Sequence, residues 1–225
     1  MTRAYIMGAS SWEEADEHFE AFASALPERR RELAERVAAT GGPELDLSIE
    51  SLTPLNEWFI ETVLDRPAPP DIDFLPAWMD PPNPDFTPTP GGPRRAPGWL
   101  YLLWEQLGVY LGDVMIEQTP GARWVCWRSP RRGNISNGQP TVDIGVPEDG
   151  FSPMSCANGG VLRSWMHLGT GERGMDARPD PNFYLKYFTA VLERRDAYLA
   201  TKPPRWQAAP TGPRARKTQR EPGGS

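Results

Sequence analysis

The chain of 225 residues is poor in the side chains that most often carry chemistry. It has two cysteines, two histidines and only three lysines among its 24 basic residues. Cys126 and Cys156 allow one disulfide but no disulfide framework. Structural zinc sites draw most of their four ligands from Cys and His, so the shortage of both excludes one. No run of 18 apolar residues exists, which excludes a membrane-spanning helix, and the first ten residues lack the apolar stretch of a secretory signal. The expectation is a cytoplasmic protein with two free, buried thiols, because cytosolic disulfides are rare. On that reading the sequon at Asn134 to Ser136 is accidental. The charge balance, 24 basic against 30 acidic for a net −6, argues against a nucleic-acid binder, which should be basic over its domain.

What the chain has in excess is proline, 26 residues, and tryptophan, nine. Proline at roughly twice its usual share of about 5% must sit in loops, helix first turns or linkers. Eleven prolines fall within residues 67–97, a segment that cannot hold a helix or a central strand. The same segment carries Ile72, Phe74, Leu75, Trp78, Met79 and Phe86, which a pure spacer would lack. It reads as an arm packed on its own domain, with a partner-binding strap and a mobile linker as alternatives. Five further prolines lie in residues 203–225, a basic tail that reads as disordered. That tail has five basic residues and one acidic, a net +4, so residues 1–202 carry −10. The length suits one good-sized domain, and residues 1–202 read as one.

Helical signals come first along that domain. Ser11 and Glu14 fit a capping box, and Trp12, Ala15, Phe19, Phe22, Ala23 and Leu26 recur at helical spacing. Pro27 suits the first turn of a second helix, 27–40, stopped by Gly41 and Gly42. Leu45, Leu47 and Ile49 alternate with polar residues as in a short extended piece, and a helix follows from Ser51 or Thr53 to about Arg66. Residues 98–118 are apolar nearly all round until Asp113, the mark of a core helix, with Gly108 and Gly112 permitting close approach. A hairpin pairs 122–127 with 141–146. Ser152 and Pro153 open a helix weakened by Gly159 and Gly160, and Asp180 and Pro181 start a last helix to about Ala200. The fold class expected is α+β, helices flanking a small antiparallel sheet.

Catalytic constellations are few. Residues 169–174 match G-x-G-x-x-G by letters, but a helix precedes them and no helix follows, so the context for a dinucleotide is inverted. Cys156, His167 and Asp176 would be the one thiol–imidazole set. Eleven residues apart on a helix, Cys156 and His167 would be separated by about 16 Å unless it breaks at Gly159 and Gly160. His18 sits at the edge of the first apolar stripe, as a boundary residue. Asp113 and Glu117, four apart, with Glu105 two turns earlier, could perform acid–base work or hold a metal, or could mark the solvated exit of the core helix. Arg128, Arg131 and Arg132 beside Trp127 form the basic–aromatic patch of an otherwise acidic body.

Three runs carry a resemblance: LDLSIESL at 45–52, YLGDV at 110–114 and GARW at 121–124. Together they resemble a loosely defined group of bacterial proteins of unknown activity with LDxSxxSL, YLGEV and GxRW motifs. The likeness covers roughly residues 41–146, with Asp113 where glutamate is usual and the proline-rich arm as an insertion. Small α+β proteins of this kind resemble the immunity proteins of bacterial toxin systems, an association by fold. The reading that results is a non-catalytic protein-binding module, an immunity or accessory protein of a toxin or secretion system, with another protein as partner. Neither membrane nor nucleic acid is expected as a partner, and no cofactor or metal is expected. Trp78, Trp127, Arg128, Arg131 and Arg132 are its candidate contacts, because Trp and Arg dominate binding hot spots. The alternative is a hydrolase or metal-dependent enzyme using Asp113 and Glu117.

Overall fold

The computed structural model describes residues 6–81, 95–129, 134–146, 150–167 and 178–204. It is an α+β fold. Among the described residues six helices, α1 (Trp12–Ala39), α2 (Leu52–Ile60), α3 (Gly98–Gln118), α4 (Pro153–Ala157), α5 (Arg163–His167) and α6 (Phe183–Leu199), flank a hairpin of β1 (Arg123–Cys126) and β2 (Pro140–Asp143). No helix among the described residues is long and apolar enough to cross a membrane.

Helix α1 departs from expectation in being continuous through Pro27. The buried residues explain it: Ala15, Phe22, Leu26, Leu33 and Val37 step by seven and four and form one stripe across the proline. Breaking the helix at Pro27 would take Leu33 and Val37 off that stripe. Burying two aliphatic side chains, at about 1.5–3 kcal/mol each, offsets an interior proline costing about 3 kcal/mol. Ser11 Oγ accepts from Glu14 N at 3.2 Å, as a cap should. The Glu14 carboxylate, however, reaches one residue further back than in a capping box, to the amide and hydroxyl of Ser10 at 2.6 Å. A Schellman ending closes α1, Gly41 N donating to Ala38 O and Gly42 N to Val37 O.

Around α3 the fold is assembled. Its sequence is apolar all round, and residues from Trp99 to Met115 are buried on every face. Helix α1 lies along one side. Where Gly108 leaves a gap, Met154 of α4 fills it, and where Gly112 leaves one, the Trp124 ring of β1 fills it. A methyl group at Gly112 would fall 2.0 Å from that ring, so the two glycines serve two different neighbours. In the hairpin, Arg123 faces Asp143, Trp124 faces Val142 and Val125 faces Thr141, with Phe151 bonded to Val142 from the other side. Strand β2 is shorter than its alternating sequence suggested, ending at Asp143, whose carboxylate accepts from Gly145 N at 3.0 Å in a turn.

Helix α2 continues as a π-helical turn, Glu61–Asp65, and ends at Arg66, before Pro67. The helix opened by Ser152 does not break at Gly159 and Gly160; it widens there into a second π-helical turn, Asn158–Leu162. Asn56 binds the start of α6 to α2, donating to the carbonyls of Asp180 and Pro181 at 2.9 Å. Cys126 and Cys156 are both free thiols, the first half-buried and the second buried.

The described part of the proline-rich arm lies on its own domain. Trp78, 2% exposed, packs edge-on against Trp104 and donates its indole N–H to Glu105 Oε2 at 2.9 Å. Glu105 is a buried carboxylate on α3, and its other oxygen takes Arg29 Nε at 2.7 Å. Arg29 also stacks on Phe74 of the arm. Burying a charge demands such partners, and the arm supplies one of them. Replacing Trp78 with alanine should therefore lower the free energy of unfolding by about 3–5 kcal/mol, measured by urea denaturation. A loss below about 1 kcal/mol would separate the arm from the core.

Candidate functional site

Three stretches distant in sequence, 45–52, 110–114 and 121–124, meet in space. The centre is Tyr110 on α3. Its hydroxyl accepts from Leu47 N at 3.1 Å and lies 2.9 Å from Ser51 Oγ, which itself donates to Ser48 O at 2.7 Å. The Tyr110 hydroxyl is thus the donor to Ser51. Burial pushes its pKa up, the Ser51 and Leu47 bonds work against that, and the Asp46 and Asp113 charges add to it, so the phenol keeps its proton.

Residues 45–50, expected to be extended, form no strand. Asp46 Oδ1 accepts from both the amide and the hydroxyl of Ser48, which turns the chain. Leu47 takes a left-handed conformation, φ 61°. That costs a residue with a Cβ about 1–2 kcal/mol. Two contacts from α3 hold it there, Tyr110 on its amide and Gln118 Nε2 on its carbonyl at 3.2 Å. Strain held this way is concentrated where a chain does something other than fold.

One turn further along α3, Asp113 receives Arg30 in a two-pronged pair, Nε at 2.6 Å and Nη2 at 2.7 Å. The hydrogen bonds raise the pKa of Arg30 above its usual range. Trp124 Nε1 makes a long contact to the same carboxylate at 3.4 Å. Between α1, the 45–47 turn and α3 lies an open cleft of about 420 Å³. Leu33, Leu45, Leu47 and Ile116 make its walls apolar, Tyr110 is at its base, and Arg30, Ala34, Asp113 and Glu117 surround the mouth. Ala34 and Glu117 are exposed.

Of Asp113 and Glu117, on which a hydrolytic or metal-dependent reaction would rest, Asp113 has both oxygens bonded to Arg30, and Glu117 is exposed. Among the described residues no group of three or more His, Cys, Asp or Glu is placed to hold a metal ion.

No family model, curated protein or solved structure matches the chain.

Of the five contacts expected from sequence, the three that are described, Trp78, Trp127 and Arg128, do not line the cleft. Trp78 and Trp127 are each 2% exposed, inside the fold. Arg128 forms an ion pair with Asp16 and stacks on Trp12, 4.7 Å from the ring centre. Arg131 and Arg132 lie outside the described residues, as do the 169–174 run, Asp176 and the side chain of His167. His18 is half-buried, as a boundary residue should be. What sequence reasoning missed is the cleft itself, above all Arg30, Leu33, Leu45, Leu47, Tyr110 and Ile116. The signal lies in the two runs that contain Leu45, Leu47 and Tyr110.

Two outcomes follow. Tyr110→Phe removes an acceptor and a donor at once and should cost about 1–3 kcal/mol of unfolding free energy, with a loss of a few tenths contradicting the role given to Tyr110. Burial first, and the Asp16 charge second, push the Cys126 thiol up to about 11. Because the folded value is raised, the protonated thiol's contribution to stability is full below 9.0 and fades as pH climbs to about 11. Iodoacetamide should accordingly modify Cys126 slowly at pH 8 and much faster towards pH 11; ready modification at pH 8 would contradict it.

Proposed function

We propose that this protein is a non-catalytic protein-binding module, working as an immunity or accessory protein of a bacterial toxin or secretion system. One observation carries the reading: an open apolar cleft walled in part by a residue held in a strained backbone conformation. A cleft maintained at the expense of stability, in which the Asp113 carboxylate is tied to Arg30, supports binding rather than turnover. The resemblance of the 45–52, 110–114 and 121–124 runs to the bacterial group supports the immunity or accessory role by association.

The experiment is affinity capture from the native cell with three full-length proteins: the natural chain, Ala34→Trp, which fills the mouth of the cleft, and Glu193→Ala, an exposed change on α6. A single protein should be enriched by the natural chain and by Glu193→Ala, and reduced at least about tenfold by Ala34→Trp. That protein should also be toxic when expressed without this one. Equal capture by all three would contradict the reading. So would a chemical turnover that Asp113→Asn abolishes while the fold is retained.

A further inference from the structure

We infer that the segment the cleft receives is basic and amphipathic, placing aliphatic side chains on the apolar walls and lysines or arginines against the rim; this rests on the binding-module reading above. The walls are Leu33, Leu45, Leu47 and Ile116. Around them the charges do not balance. The one basic residue of the lining, Arg30, is neutralised by Asp113. Its neighbour Arg31 is held between Glu28 and Glu35. Glu117, which lines the cleft, and Glu44, Asp46 and Glu50, on the turn that carries Leu45 and Leu47, are exposed carboxylates. Among the described residues none of the four has a cation within ion-pair distance.

The distribution of those charges narrows the occupant. Glu44, Asp46 and Glu50 are spaced along seven residues of chain, with Glu117 apart from them on α3. A compact amine would meet one of these carboxylates, whereas a polypeptide with cations at intervals can meet several. A second copy of this chain is disfavoured, because its body carries −10 over residues 1–202 and like charges repel. The chain's own residues 205–225 are a competing source of the same chemistry, with five basic residues and Trp206.

The test is fluorescence anisotropy of a labelled seven-residue peptide alternating leucine and lysine, and of its leucine–glutamate counterpart, against the full-length protein. The lysine peptide should bind at least about tenfold more tightly than the glutamate one, and more weakly as salt rises. Glu117→Lys and Ala34→Trp, both at exposed positions, should each weaken it at least about tenfold while circular dichroism is unchanged. Equal binding of the two peptides overturns the inference. So does binding of the lysine peptide that neither variant affects, since the acidic body rather than the cleft would then be its site. A lysine peptide that binds only after Arg214, Arg216, Lys217 and Arg220 are changed to glutamine makes the tail the occupant and also overturns it. If the capture experiment depends on Ala34 yet the lysine peptide fails to bind, the partner chemistry falls while the binding reading stands.

Discussion

A helix that is apolar on every face has to be wrapped on every face, and α3 imposes that condition on the rest of the molecule. The stripe of α1 covers one side, Met154 of α4 closes in at Gly108, and the Trp124 ring of β1 closes in at Gly112. Towards its first turns the cover is the proline-rich arm, which brings Trp78 onto Trp104 and onto the buried Glu105. Glu105 is the charged exception in the buried middle of α3, and it is tolerated because Arg29 and Trp78 each occupy one of its oxygens. Arm, α1 and α3 are thereby tied by one carboxylate.

The wrapping is incomplete towards the other end. Past Tyr110 the helix turns polar at Asp113 and Glu117, and the chain that should cover Ile116 makes a turn instead of a strand. That turn, with Leu47 in a left-handed conformation, is held open by α3 itself through Tyr110 and Gln118. The Arg30–Asp113 pair keeps α1 at its distance across the same gap. An apolar hollow of about 420 Å³ remains, in the range of preformed ligand clefts. The interactions that shape it are polar and local, so the cleft can be open without the core beside it being loose.

Much of the fold was legible from residue spacing, and the exceptions have physical causes. Helix α3, the hairpin and α6 followed from apolar run, alternation and capping residues, all local signals. Pro27 misled because a local rule was set against a stripe of Leu33 and Val37 whose value depends on α3 being there. Leu45, Leu47 and Ile49 misled because alternation is also what a turn produces when its apolar residues pack inward against a core. The left-handed Leu47 needs partners 63 and 71 residues away, Tyr110 and Gln118, which no local pattern contains. Trp78 and Trp127 illustrate the opposite limit: their residue type suits a hot spot and a core equally well, and the fold buries both. Asp113 was legible as a residue of interest, but its partner Arg30 lies 83 residues away, and the pairing sets its role.

The central claim is that Tyr110 presets the cleft at the unwrapped end of α3, before any partner arrives. Amide hydrogen exchange on the free full-length protein tests it most directly, because the Leu47 N–H is bonded to the buried Tyr110 side chain from the middle of a surface turn. The account predicts that the Leu47 amide exchanges at least about a hundredfold more slowly than an unstructured amide, and that Tyr110→Phe removes the protection. A Leu47 amide exchanging at the rate of an open loop in the natural protein would mean that the cleft is not preformed, and would contradict the account.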